Sequence, residues 1–159
     1  MNWVIELVIA AVTLGSNLGD RAAHLDFAIA RLAALLDNLK ASRYYDTVPV
    51  GVSGPQPIYL NAAAVGKTTL SARELLDGLL AIERERGRER PHDNAPRTLD
   101  LDLILFGDAV IVEPGLVVPH PRFRERRFVL EPLAEVAAGL RDPVTGKTAD
   151  QLLLDLRAL

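Results

Sequence analysis

Residues 96–106 read Pro-Arg-Thr-Leu-Asp-Leu-Asp-Leu-Ile-Leu-Phe, two carboxylates set into a run that otherwise has the make-up of a strand. Period-two alternation puts Leu99, Leu101, Leu103 and Leu105 on one face and Asp100, Asp102, Ile104 and Phe106 on the other. Residues on one face of a strand lie about 6.5–7 Å apart at Cα, and at an effective dielectric of about 20 two negative charges so spaced repel by about 2 kcal/mol. Aspartate is also depleted in strands, so the pair costs propensity as well. A divalent cation that prefers oxygen relieves both penalties. Magnesium suits the position, because it takes one or two carboxylates and leaves its other sites to water and substrate phosphates. The competing reading is a solvated face on a half-buried strand. Either way the strand needs a sheet with a core on its leucine side.

The chain has 159 residues, enough for one domain with a core of its own, and the expectation is a single domain over 1–159 with residues 1–7 as an N-terminal extension. There is no cysteine, which excludes disulfides and thiolate metal sites and fits a cytoplasmic setting. Residues 3–14 are apolar apart from Glu6 and Thr13 but fall well short of the roughly 20 residues that span a bilayer, so they read as a core strand and no membrane is expected. A net charge of −3 argues against general nucleic-acid binding. Within that average, nine of the 15 arginines lie between Arg84 and Arg127, against three lysines in the whole chain. Arginine's planar fork suits bidentate phosphate recognition, so the bias points to a small polyanion. For Arg84, Arg86, Arg88 and Arg90 a salt-bridged solvent face competes with that reading, given Glu83, Glu85 and Glu89.

Hydrophobic spacing predicts a strand over 8–14, a turn at Gly15-Ser16-Asn17-Leu18-Gly19, a helix over 20–36 and strands over 42–48 and 58–67. Ser71 with Glu74 forms a capping box that opens a second helix running to about residue 86. The glycine- and proline-rich stretch 51–57 and the polar stretch 87–96 read as loops. After the aspartate strand, Gly107-Asp108 predicts a hairpin turn into 109–112, and helical patterns return over 129–138 and 148–156. Strand, helix, strand, strand, helix, strand is the βαββαβ order of a ferredoxin-like α+β sandwich, a mainly antiparallel sheet with helices over one face. Such a fold names no activity by itself.

Carboxylates, arginines and two long loops suggest phosphoryl-type transfer, in which catalysis is mostly positioning and charge stabilisation. Asp100 and Asp102 would hold one or two magnesium ions while Arg88, Arg97 and Arg126 steady phosphate oxygens. His120, between Pro119 and Pro121, is either a further donor to those phosphates or structural; His24 and His92 read as solvated. Gly15 to Gly19 lacks the Gly-Lys-Ser/Thr ending of a Walker loop and reads as a turn in which Asn17 and Asp20 satisfy free amides. Tyr59 and Asn61 share a strand face, a pairing that can stack a flat heterocycle and read its edge, or can be core packing with one buried hydrogen bond. Thr47, Val48 and Val50 could supply backbone groups and an apolar floor beside them.

Five segments, taken together in order, are more specific. They are Leu14-Gly15-Ser16-Asn17-Leu18-Gly19, Tyr44-Tyr45-Asp46-Thr47-Val48-Pro49-Val50-Gly51, Tyr59-Leu60-Asn61-Ala62-Ala63, Pro96 through Asp102, and Val118-Pro119-His120-Pro121 through Phe128. The chain resembles the 6-hydroxymethyl-7,8-dihydropterin pyrophosphokinases of folate biosynthesis. The resemblance implies transfer of pyrophosphate from ATP to the pterin hydroxymethyl oxygen, with release of AMP. It implies two magnesium ions on Asp100 and Asp102, and ATP phosphates on Arg88, Arg97, His120 and Arg126, the first two also catalytic. It further implies a pterin between Tyr59 and Phe128 whose edge is read by Asn61 with Thr47, Val48 and Val50 alongside, an acidic Glu83 near the site, and small-molecule partners only; a monomer is expected because no apolar stripe is left over once the core is assigned. The chain departs from some members at Asn94 and Pro121, where tryptophan and tyrosine occur. A non-catalytic pterin- and nucleotide-binding module, and an RNA-binding protein on the same fold, are the competing readings; the low aromatic content speaks against the second.

Overall fold

The computed structural model describes residues 6–47, 58–87 and 98–158. Val48, Val50, Arg88, His92, Asn94 and Arg97, with both long loops, therefore lie outside the described residues. Strand β1 (Val8–Ser16) leads through the glycine turn to α1 (Arg21–Leu32), β2 (Asp37–Ala41), β3 (Tyr45–Thr47), β4 (Tyr59–Thr68), α2 (Ala72–Glu85) and β5 (Asp100–Phe106). A hairpin of β6 (Ile111–Glu113) and β7 (Leu116–Val118), a 3-10 turn η1 (Phe123–Glu125), α3 (Arg127–Ala137) and α4 (Ala149–Arg157) follow. The main sheet runs β2-β4-β1-β5, with β3 also paired to β4, and every pairing is antiparallel. This is the expected ferredoxin-like α+β architecture.

Helix starts follow the sequence chemistry. The Asp20 side chain accepts from the Ala23 amide at 3.1 Å, Ser71 and Glu74 close the anticipated capping box, and Thr148 with Gln151 closes another. One face of the sheet carries Val12, Leu14, Leu60, Ala62, Leu101 and Leu103 beneath α1 and α2. The opposite face carries Ala11, Ala63, Ile104 and Leu105 beneath α3 and α4. Helices thus cover both faces, not one. The second layer comes from the C-terminal helical patterns, which the βαββαβ scheme leaves without a place.

Three local expectations are corrected. The first helix stops at Leu32, and residues 37–41 form an edge strand entered through Asn38 at φ 53°, a left-handed conformation that asparagine tolerates. Of the strand expected over 42–48, only Tyr45–Thr47 forms among the described residues; in the break before it Ser42 Oγ accepts from the Ala63 amide at 2.9 Å in place of a strand carbonyl and donates to the Arg43 carbonyl at 2.7 Å. The 107–108 turn does not pair β5 with the strand that follows, because β6 pairs with β7 instead.

The alternation of β5 also breaks. Val12 pairs with Leu103 and Ala11 with Leu105, so Ile104 is an extra residue, a β-bulge. Beyond it the parity reverses: Leu105 joins the α3/α4 core and Phe106 the α1/α2 core, each opposite to its expected face. Asp100 and Asp102 precede the bulge and keep theirs.

Asp142 fixes the C-terminal layer. Its fully buried carboxylate takes Arg124 Nε at 2.6 Å and the second Arg124 nitrogen at 3.0 Å, with Thr145 Oγ1 and the Val144 amide also donating. Burial alone would raise this acid; the hydrogen bonds outweigh it and hold it down to about 2. Because the folded-state value is depressed, the stabilisation is complete above the unfolded carboxyl's range and disappears as pH falls. Wild type should therefore exceed Asp142→Asn in stability near neutrality, and urea unfolding should show that margin shrinking by about 2 kcal/mol between about pH 4 and pH 2.

Candidate active site

The register of β1 against its two neighbours assembles the site. Gly15 pairs with Asn61 on one side and Asp100 on the other, and Asn61 pairs with Tyr45, so Tyr45, Asn61, Gly15 and Asp100 form one row across four strands. Thr13, between Ala63 and Asp102, lies in a second row, and Thr47 opposite Tyr59 in another. Directly paired residues, and residues two apart along a strand, share a face. Thr47, Tyr59, Asn61, Asp100 and Asp102 therefore all belong to the α3/α4 side of the sheet. Asn61 and Asp100 are two strand spacings apart, about 10 Å. Gly15 keeps the floor between them low: a Cβ there would come within 3.1 Å of Asn61 Oδ1 and 3.7 Å of the Tyr59 ring.

Asn61 is buried, and its Nδ2 donates to Thr47 Oγ1. That bond leaves the amide oxygen for other donors. Asp100 and Asp102 are half-buried. They are hard oxygen donors on adjacent same-face positions, and among the described residues no third acidic or histidine side chain joins them to complete a metal cage. Two carboxylates with open positions suit magnesium better than calcium, which takes six to eight oxygens.

β5 is the sheet edge, and two contacts close it. Glu83, on α2 and 2 % exposed, accepts the Leu101 backbone N–H at 2.7 Å, the amide between the two aspartates. The His120 amide donates to the Ile104 carbonyl at 2.9 Å, at the bulge. Glu83 thus fixes the aspartate strand, a role its charged surroundings in the sequence conceal. The signal is its spacing, four and eight residues after the buried Leu79 and Leu75.

His120 is half-buried. Its Nδ1 accepts the Arg122 amide at 3.3 Å, leaving the proton on Nε2. Burial, then Arg126 and Arg122, push its pKa below the usual histidine value against the opposing pull of Asp100, so near neutrality it is an uncharged donor beside the aspartates. The Arg126 guanidinium lies over the Phe128 ring at 5.5 Å, joining a phosphate candidate to a pterin candidate. A cavity of about 230 Å³ lies along the free edge of β5, lined by Leu76, Leu101, Leu103 and Leu116 from the α1/α2 side and by Asp102 and His120 as polar members. A larger groove of about 680 Å³, between Arg43, Glu135 and Arg157, contains neither aspartate.

Other candidates lie elsewhere. Arg86 Nε donates to His24 Nδ1 at 2.8 Å and its guanidinium stacks on Phe27 at 4.8 Å, so His24 is a partnered side chain and not simply solvated. Arg124 serves Asp142, and Arg127 pairs with Glu131 at 2.5 Å. Arg124 and Arg127 are thus paired with acids, whereas Arg126 stacks on Phe128.

An antiparallel α+β sheet with paired carboxylates and an amide-aromatic pair on one face, and an uncharged histidine at its edge, is an arrangement suited to small-molecule group transfer on a ferredoxin-like fold. The sequence model of the 7,8-dihydro-6-hydroxymethylpterin-pyrophosphokinase family matches residues 11–138, and the chain belongs to that family. It is 44% identical over 146 residues to the 2-amino-4-hydroxy-6-hydroxymethyldihydropteridine pyrophosphokinase of Synechocystis sp., covering 91% of this chain and 74% of the relative. To the Bacillus subtilis enzyme of the same name it is 44% identical over 145 residues, covering 90% and 86%. Among solved structures, a Plasmodium falciparum HPPK-DHPS chain with pteroate superposes with a TM-score of 0.74 at 14% identity, over 98% of this chain and 43% of that one, a likeness of fold. Family membership makes the activity pyrophosphate transfer in folate biosynthesis. Among the described residues, no helix is long and apolar enough to cross a membrane.

Removing the Glu83 carboxylate leaves a strand amide without its partner at a buried edge. Glu83→Ala should lower the unfolding free energy by about 1.5–3 kcal/mol, with Glu83→Gln losing less because it keeps an acceptor, both read by urea denaturation.

Proposed function

We propose that the chain uses ATP as donor and magnesium as cofactor, transferring the β,γ-pyrophosphoryl group to the hydroxymethyl oxygen of 6-hydroxymethyl-7,8-dihydropterin. The observation that carries this reading is the shared face on which Asn61 and the two aspartates stand either side of Gly15. The pterin lies flat over Gly15 between Tyr59 and Phe128, with its polar edge on Asn61 and Thr47 and its hydroxymethyl arm directed to Asp100. Asp100 and Asp102 hold the magnesium. When bound, the metal lowers the hydroxyl pKa and neutralises charge that builds up during an in-line displacement. The oxygen attacks the β-phosphorus, the bond from that phosphorus to the oxygen bridging the α-phosphorus breaks, the hydroxyl proton is released, and AMP leaves.

His120 donates from Nε2 and Arg126 from its guanidinium to phosphate oxygens, as do Arg88 and Arg97 from the neighbouring loop. The 230 Å³ cavity beside Asp102 and His120 takes the adenine, its leucines stacking on the base. Pro121, in that lining, offers contact but no side-chain donor. Val48 and Val50 are the further pterin contacts of this reading. The enzyme acts as a cytoplasmic monomer on these two small molecules.

Incubation with ATP and the hydroxymethyl pterin should yield AMP and pterin diphosphate in equal amounts; ADP instead of AMP would refute the pyrophosphoryl step. EDTA should abolish AMP formation and added magnesium restore it. Asp100→Ala and Asp102→Ala should each slow turnover by about a thousandfold or more while urea unfolding shifts by no more than about 1 kcal/mol, since neither side chain belongs to a core cluster. Unfolded variants would instead make the pair structural.

A further inference from the structure

Glu135, a carboxylate outside the site, joins two of its walls. Its Oε1 accepts the Tyr45 hydroxyl at 2.5 Å and its Oε2 the Arg43 backbone N–H at 2.8 Å. Both donors belong to the segment that forms β3, a strand of three residues whose one sheet neighbour among the described residues is β4. So short an edge strand has little else to fix it. Thr47, two residues after Tyr45, lies on the same face and accepts the Asn61 amide. Phe128 is seven residues before Glu135 on α3, so the two occupy one stripe of the helix about two turns apart. The stripe that grips β3 is the one that carries the ring.

The bond has the chemistry of a strong tie. Burial and the Glu135 acceptor raise the Tyr45 phenol above its usual value, and the Tyr45 hydrogen bond is the main cause that lowers Glu135, so a protonated phenol meets an ionised carboxylate. The accompanying ion pair is secondary. Arg43 Nε stands 3.4 Å from the carboxylate with its side chain 76% exposed, and solvent screens such pairs.

We propose that Glu135 is a positioning residue for pterin selection: by tying β3 to α3 it sets the width of the slot between the Thr47–Asn61 edge readers and the Phe128 ring. The inference rests on the pterin site described under Proposed function. Without the tie, β3 is held by its ladder to β4 alone, and the slot no longer has one width for a flat bicyclic ligand. ATP, bound through β5, His120 and Arg126, is untouched.

The test measures the Kd of 6-hydroxymethyl-7,8-dihydropterin by calorimetry with a non-hydrolysable ATP analogue at saturation, the Kd of that analogue, and steady-state kinetics. Glu135→Ala should raise the pterin Kd and KM about tenfold, with kcat at saturating pterin and the analogue Kd within about twofold of wild type. Glu135→Gln, which keeps an oxygen acceptor for the Tyr45 hydroxyl, should recover most of the loss. Tyr45→Phe should raise the pterin Kd about threefold to fivefold, and Arg43→Ala, which retains the backbone donor, should leave it unchanged. Equal weakening of pterin and ATP analogue, or an Arg43→Ala loss as large as that of Glu135→Ala, would overturn the inference. So would an unchanged pterin Kd in Glu135→Ala alongside a loss in Asn61→Ala, in which case the pterin site itself stands. An unchanged Kd in Asn61→Ala would overturn the pterin site and this inference with it.

Discussion

One inserted residue, Ile104, decides how β5 serves two purposes. Before it, the strand turns leucines toward α1 and α2 and aspartates toward the opposite face; after it, Leu105 turns under α3 and α4. Without the bulge, Leu105 would return to the first core and Phe106 would take its place on the second face. The bulge thus exchanges which of the last two residues packs under the C-terminal helices and leaves the aspartates ahead of it on the face they share with Ile104.

An edge strand bearing two like charges needs support from outside the sheet, and β5 has it. Glu83 accepts the amide between the aspartates, and the His120 amide meets the bulge carbonyl. The second contact also brings an uncharged imidazole to the same edge. The elements that complete the sheet edge are thus those that complete the site.

The small residues beneath the site follow the same logic. Gly15 lies between Asn61 and Asp100, where a side chain would crowd the amide. Alanines at 11 and 63 lie beneath α3, where Phe128 packs against the same core cluster. Opposite, Glu135 holds the short strand that carries Thr47.

Much of this was legible in the chain itself. Local rules sufficed for the capping box at Ser71, the strand nature of 100–106, the shared face of the aspartates and that of Tyr59 with Asn61, because each depends on residues a few positions apart. The motif order also sufficed to name the family. What local rules could not supply were relations across the fold: the bulge that exchanged Leu105 and Phe106, the division of 37–47 at Ser42, the second helical layer, the buried acceptor Glu83, and the Glu135 tie across 90 residues to Tyr45. Alternation assumes an uninterrupted strand, and a charged residue reads as solvated until its partner is known. Those partners are chosen by long-range pairing, and so the sequence alone established the family and which polar groups share a strand face, while tertiary structure selected which side chains hold them in place.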